Sequence, residues 1–267
     1  MNNIQYILIF DSGVGGLYIY KKVSEKLPNY NYLYFFDNVF FPYSEKSEGF
    51  IVFNTLRIIR SIMKSYLLSL IIIACNTVST IMLSLLRFLI DIPIVGVVPS
   101  VKLAVSLTSN GIIGLIATKN TVSCLYIRKL VKRFANQCKF YLLGSTELVH
   151  IAQNKMYGLD ISFDKIVFIL RFFTEMLKLP DVIVLGCTHY SFLLSEFGEI
   201  FGSKIKLIDS SLVFVDHVCS IIKNNSYFCS YLYPFNKVLC LKIDSSLLNV
   251  FTLLKKYGFL ELEQLYF

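Results

Sequence analysis

Paired cysteine spacings are missing from this sequence. Its seven cysteines, at 75, 124, 138, 187, 219, 229 and 240, are odd in number and widely spread, which argues against a disulfide framework and offers no CxxC metal pattern. A secretion signal is missing too: the apolar run 6–10 has no basic flank and stops at Asp11, so the expected compartment is the cytoplasm, where thiols stay reduced. Nor does any charge-free stretch read as a membrane span. The longest, 65–86, is long enough to cross a bilayer, but Ser69, Asn76, Thr77, Ser79, Thr80 and Ser84 interrupt it, and a strand, a turn and a helix account for it with less strain. A soluble chain without a membrane partner is therefore expected, despite a composition 55% hydrophobic and a mean hydropathy of +0.61. No single basic region accounts for the charge either. The net charge of +8 comes from Lys and Arg scattered over the whole length, so no nucleic-acid partner is indicated, while an anionic small molecule stays open.

What the sequence does contain is alternation of apolar runs and amphipathic stretches. Strands are expected at 6–10, 32–36, 70–74, 92–98, 111–116, 139–143, 182–186, 205–208 and 238–243. Helices are expected between them, at 17–27, 48–65, 77–89, 101–108, from about 121 to 136, twice between 147 and 179, at 191–201, up to 222, and at 247–257. This pattern predicts an α/β fold: two similar α/β domains with mainly parallel sheets and an active site in the cleft between them. The first domain is placed at 1–98 plus 209–267, and the second at 99–208. The apolar stretch 227–233 is compatible with the contact surface of a homodimer.

The turn Asp11-Ser12-Gly13-Val14-Gly15-Gly16 resembles a dinucleotide fingerprint, but Tyr18 stands where the third glycine is needed. A helix N-terminus with free backbone N–H groups remains, suited to a carboxylate or phosphate, beside the acid Asp11 and the hydroxyl Ser12. Two further strand ends share one layout. Ile71-Ile72-Ile73-Ala74 leads to Cys75-Asn76-Thr77, and VIVLG (182–186) leads to Cys187-Thr188-His189. Each thiol lies between a strand and a helix start, where the dipole and free N–H groups are expected to favour the thiolate. A Cys–His nucleophile and a zinc site remain alternatives, although the first leaves one thiol idle and the second has only three ligands. Two thiols at matching strand ends suit bases on opposite faces of one carbon, which would invert a stereocentre. Singly, either cysteine is as well explained by packing; Cys219 and Cys229 are read that way, and His150 and His217 as surface or satisfied core histidines.

Taken together, FDSGVGGL (10–17), FPYSEKS (41–47), ACNT (74–77), GIIGLIATKNTV (111–122) and GCTH (186–189) resemble the glutamate racemases of the aspartate/glutamate racemase family, closest to their enterobacterial branch by IVGVVPSVKLA (94–104) and LLGSTELVHIAQ (142–153). The resemblance implies an isomerase that interconverts L- and D-glutamate without a cofactor or metal and supplies D-glutamate for peptidoglycan. It implies Cys75 as the thiol acting on the D-isomer and Cys187 as the one acting on the L-isomer, with Asp11, Glu147 and His189 tuning them. Asp11, Ser12, Tyr43, Ser44, Asn76, Thr77, Thr188 and His189 would hold the substrate, and a cell-wall precursor would be a candidate activator. Ser44 departs from the family's glycine, and if that glycine needs a positive φ the serine would cost about 1 kcal/mol or more. An aspartate racemase or related isomerase is the runner-up, and a non-catalytic amino-acid-binding remnant is the alternative of another class.

Overall fold

The computed structural model describes residues 4–225 and 228–267. Among these residues ten strands form two sheets, and every pairing is parallel. The first sheet contains β1 (Gln5–Asp11), β2 (Tyr32–Phe36), β3 (Leu67–Ile73) and β4 (Ile94–Gly96), then β9 (Lys237–Cys240) and β10 (Leu262–Gln264), in the order β10-β9-β2-β1-β3-β4. The second contains β5 (Ile112–Ala117), β6 (Lys139–Gly144), β7 (Val182–Gly186) and β8 (Lys206–Asp209), in the order β6-β5-β7-β8. Parallel strands covered on both faces need apolar side chains on both. That is why LLSLIII and VIVLG are near-continuous apolar runs rather than alternating ones.

Helices supply the covers. On one face of the first sheet lie α1 (Leu17–Lys26), α10 (Ser210–Lys223) and α11 (Leu248–Lys256), packed on Ile7 and Ile9 of β1; on the other lie α2 (Glu48–Ser65) and α3 (Asn76–Leu89), packed on Tyr6, Leu8 and Phe10. The alternation along β1 is the two-residue period of a strand. The second sheet is sandwiched between α7 (Glu147–Met156), α8 (Phe163–Thr174) and α9 (Leu194–Phe201) on one side and α4 (Val101–Leu107) and α6 (Leu125–Phe134) on the other. A short helix, α5 (Lys119–Ser123), lies just beyond the end of β5. Chain direction crosses from the first sheet to the second through α4 and returns through α10.

Several expected boundaries shift for local reasons. The strand expected at 92–98 contracts to β4, and the helix expected after 121 is broken at Cys124, whose extended backbone (ψ 150°) separates α5 from α6. Asp209 caps α10, accepting from Ser211 N at 2.8 Å. Cys219 is buried among core side chains, whereas Cys229 is exposed, so its reading as a packing residue is corrected. In the apolar stretch 227–233, Leu232 and Tyr233 are exposed, and Tyr227 lies outside the described residues. Among the described residues no helix is long and apolar enough to cross a membrane; the charge-free stretch divides into β3 and α3.

Candidate active site

Both halves of the site begin where an apolar strand stops. Ala74 N donates to Phe10 O at 2.8 Å, so the chain leaves β3 against the end of β1, and Cys75 takes the N-cap position of α3. On the second sheet, Gly186 ends β7 in a space where a Cβ would stand 3.0 Å from Ala117 and Leu115. Cys187 then caps the 3₁₀ turn Thr188–Leu193. The Tyr190 phenol fixes that turn by donating to Ser145 O at 2.6 Å. Cys75 and Cys187 are 5% and 7% exposed.

The glycine-rich loop after β1 touches both halves. Ser12 Oγ lies 3.3 Å from Cys75 Sγ. A Cβ on Gly15 would stand 2.4 Å from His189 Nδ1, so only glycine lets the loop rest against that imidazole. Thr77 Oγ1 lies 2.9 Å from Thr118 Oγ1, which is 2.9 Å from Thr121 Oγ1. Since α5 follows β5, the neighbour of β7, these contacts bring the carboxyl ends of the two sheets face to face. Charge at Cys75 and Asp11 also acts on Cys187. Cys75 and Cys187 thus follow strands whose carboxyl ends face each other.

Burial sets the electrostatics. Asp11 is fully buried, and among the described residues no Lys or Arg is. Burial pushes its carboxyl up to about 7, although Gly16 N donates to Oδ2 at 2.6 Å and Ser12 N to Oδ1 at 2.8 Å. Those two N–H groups, expected to be free for a substrate carboxylate, are thus held by Asp11 itself. The thiols differ from expectation too. Burial, then the charge of Asp11, pushes Cys75 up to about 11 in spite of hydrogen bonds from Ser12 and the Val78 N–H. Burial likewise pushes Cys187 up, against the N–H groups of His189 and Tyr190. Removing a thiolate from water costs more than a helix start returns. His189 is pushed down to about 3 by burial, then by the neighbouring His150, and is neutral.

Three buried polar atoms at the cleft have no hydrogen-bond partner among the described residues: Nε2 of His189 and both Nδ2 and Oδ1 of Asn76. A buried polar group left unpaired costs about 1–3 kcal/mol, so these atoms, on residues next to the two thiols in sequence, are candidates for hydrogen bonds to a ligand. Thr188 is buried next to them. Among the described residues no three His, Cys, Asp or Glu side chains gather as metal ligands.

The 37–46 loop forms the wall opposite. Asp37 anchors it: Oδ1 accepts from Val39 N (3.0 Å) and Phe40 N (2.9 Å), and Oδ2 from the Tyr43 phenol (2.8 Å) and Asn54 Nδ2 (2.9 Å). The phenol of Tyr43 is therefore occupied within the protein. Ser44 is unstrained, because among the described residues no non-glycine residue has a positive φ. The cost anticipated for the missing glycine does not arise; instead Ser44 Oγ accepts from Thr146 Oγ1 at 3.2 Å. Glu147 departs from expectation. It opens α7, is exposed, and its side chain makes no hydrogen bond or ion pair with the described residues. His150, one turn on, lies 3.6 Å from Glu45 and packs edge-on against Phe41. Residues not singled out from the sequence include Phe41, tilted against His189 at 5.5 Å, and Thr118, Asn120 and Thr121. They lie within the motifs FPYSEKS (41–47) and GIIGLIATKNTV (111–122), and Thr118 Oγ1 caps α5 by accepting from Thr121 N at 3.3 Å.

Two parallel α/β units, each with a thiol just past the end of a strand, define a two-unit α/β protein. Comparison with known proteins gives that class a family. The Asp/Glu/Hydantoin racemase family profile matches residues 7–218. The chain is 41% identical over 259 residues to the glutamate racemase of Escherichia coli O7:K1, covering 97% of this chain and 90% of that one, and equally identical to that of Klebsiella pneumoniae, with 97% and 91% covered. The crystal structure of Escherichia coli glutamate racemase in complex with L-glutamate and the activator UDP-MurNAc-Ala superposes with a TM-score of 0.91 at 40% identity, over 98% of both chains. The chain belongs to the Asp/Glu/hydantoin racemase family.

The glycine loop makes one requirement testable. Gly15→Ala drives His189 away from the loop and is expected to lower kcat/KM roughly 100-fold, as ångström-scale misplacement of a site group does, with an unchanged circular dichroism spectrum. Wild-type activity in this variant would show that the position of His189 is immaterial.

Proposed function

We propose that the chain is a cofactor-independent glutamate racemase in which Cys187 removes the α-proton of L-glutamate while Cys75 protonates the opposite face, the roles reversing for D-glutamate. The observation that carries this reading is the pair of thiols at the carboxyl ends of two facing sheets, bordered by one glycine loop. In each direction one Sγ–H bond forms as the Cα–H bond breaks, and the electron pair left on the α-carbon, shared with its carboxylate, takes the proton of the other thiol. The pushed-up thiols fit this exchange. Each is neutral by default, and the site lacks a buried cation until substrate brings its ammonium, which favours thiolate at one of the pair. Asp11, bonded to Cys75, is the group to receive that thiol's proton. Asn76, Thr77, Thr188 and His189, with Ser12 and the backbone of Tyr43 and Ser44, would receive the two carboxylates and hold them where hydrogen bonds strengthen as charge develops. His189, neutral and next to the Cys187 turn, would orient the substrate, and the Cys187 proton would leave to solvent before that thiolate takes the α-proton of L-glutamate. Glu147 stands outside this set.

The domains would be 1–98 with 209–267 and 99–208, the product would feed peptidoglycan synthesis in the cytoplasm, and UDP-MurNAc-Ala is proposed to activate this chain as it does the Escherichia coli relative. Incubation with L-glutamate in deuterium oxide tests the central reading. Deuterium is expected at the α-carbon together with decay of the optical signal. Exchange of aspartate but not glutamate would reassign the enzyme within its family, and binding of glutamate without exchange would make it a binding protein.

A further inference from the structure

Several contacts join the two sheet units, among them His150 with Glu45 and Phe41 with His189. Thr77 with Thr118 joins the start of α3 to the cap of α5, and Thr146 donates to Ser44. The only side chain named in these contacts that donates twice is Asn120, whose Nδ2 gives one hydrogen bond to Tyr43 O (3.1 Å) and one to Lys46 O (2.8 Å). Both carbonyls belong to the 3₁₀ turn Tyr43–Glu45 and its end, where the Lys46 N–H also closes on Tyr43 O. The loop is rigid on its own side through Asp37 and Asn54, so fixing this turn from the far side fixes Tyr43 and Ser44 relative to Cys187.

We propose that Asn120 is a positioning residue for the racemisation: its amide holds the 43–46 turn of one sheet unit against α5 of the other, so that the loop meets glutamate in one arrangement. The inference rests on the glutamate reading and adds a residue that reading does not use. Asn120 touches neither thiol, and its effect is exerted through the turn. A latch of this kind raises the fraction of protein in the binding-competent state, and apparent affinity scales with that fraction. Loss of the latch therefore weakens substrate binding while leaving the bound complex to react as before, which reads as a change in KM rather than in kcat.

Asn120→Asp is the sharpest test. It keeps the shape but replaces the two N–H donors of Nδ2 by one acceptor oxygen facing two carbonyl oxygens, and a carboxylate in the first turn of α5, behind the Thr118 cap, is compatible with helix formation. The melting temperature is expected to stay within a few degrees of wild type, KM for both glutamate enantiomers to rise about tenfold, and kcat to change less than about twofold. Asn120→Ser, which retains one donor, is expected to fall between and decides the matter should the aspartate variant fold poorly. A KM within twofold of wild type in folded variants, or a loss confined to kcat, overturns the proposal. Absence of α-deuterium exchange in the wild-type protein is a different failure: it sinks the glutamate reading and this inference with it, before any substitution is made.

Discussion

Cys75→Ala and Cys187→Ala are each expected to abolish conversion of L- to D-glutamate and of D- to L-glutamate, by about 10³-fold or more, the scale of positioned acid–base catalysis. Inversion needs a base on one face of the α-carbon and an acid on the other, so removing either sulfur removes both directions. What remains is not symmetrical. With Cys75 gone, Cys187 still faces the α-hydrogen of the L-isomer and is expected to exchange it with solvent deuterium without producing the D-isomer, while D-glutamate stays protonated. Cys187→Ala is expected to give the mirror result. Both sites lie at the ends of strands rather than in the middle of the sheets, and the thiols are 5% and 7% exposed, so the truncations should leave the fold standing. Chiral chromatography combined with mass measurement reads all four combinations. A single variant that still inverts either isomer at the wild-type rate refutes the two-thiol scheme, and exchange of the wrong isomer reverses the assignment of faces.

Why the thiols could be found from sequence, and much of their setting could not, follows from the range of the forces involved. The apolar runs before Cys75 and Cys187 are local, as are the Ser47 cap that begins α2 and the Asp209 cap that begins α10, and these elements lie where periodicity and capping put them. Elements stabilised from afar escaped. β10, three residues long, exists because β9 offers it an edge, and the 3₁₀ turn after Cys187 is fixed by the reach of Tyr190 to Ser145, 45 residues away. In the site the same division holds. Thr118, Asn120 and Thr121 acquire their meaning from partners 41 to 77 residues distant. The direction of the thiol shifts was misjudged because a helix start is visible in sequence whereas complete burial of the sulfur is not. Asp11 shows both sides. Its position after β1 marks it as important, but its capture of the Ser12 and Gly16 N–H groups appears only once the loop folds back.

Asp11→Asn is expected to reduce kcat/KM by about 100-fold, within the range for a lost proton acceptor, and to change how both activity and stability depend on pH. The amide oxygen can replace only one carboxylate oxygen. Whichever way it turns, its NH₂ faces the N–H of Gly16 or of Ser12, at positions that now accept at 2.6 and 2.8 Å, and it cannot take a proton from Cys75. In the wild type the carboxyl is pushed from its ordinary 3.8 up to about 7 by burial. Only the ionised form serves the thiol, so kcat/KM is expected to rise with pH through an acidic limb near 7, and the asparagine variant to lack that limb. Stability runs the other way. A carboxyl that holds its proton more tightly when folded contributes fully below about pH 4, and the contribution is lost as pH climbs through 7, amounting at most to about 4 kcal/mol for a shift of this size. Urea unfolding of both proteins at pH 5 and pH 8 reads this directly: the wild type is expected to lose stability relative to the variant on going to pH 8. Parallel stabilities at the two values, or an acidic limb that survives in Asp11→Asn, would mean that Asp11 is not the group that titrates, and that the ionised carboxylate beside Cys75 is neither costly to the fold nor required by the reaction.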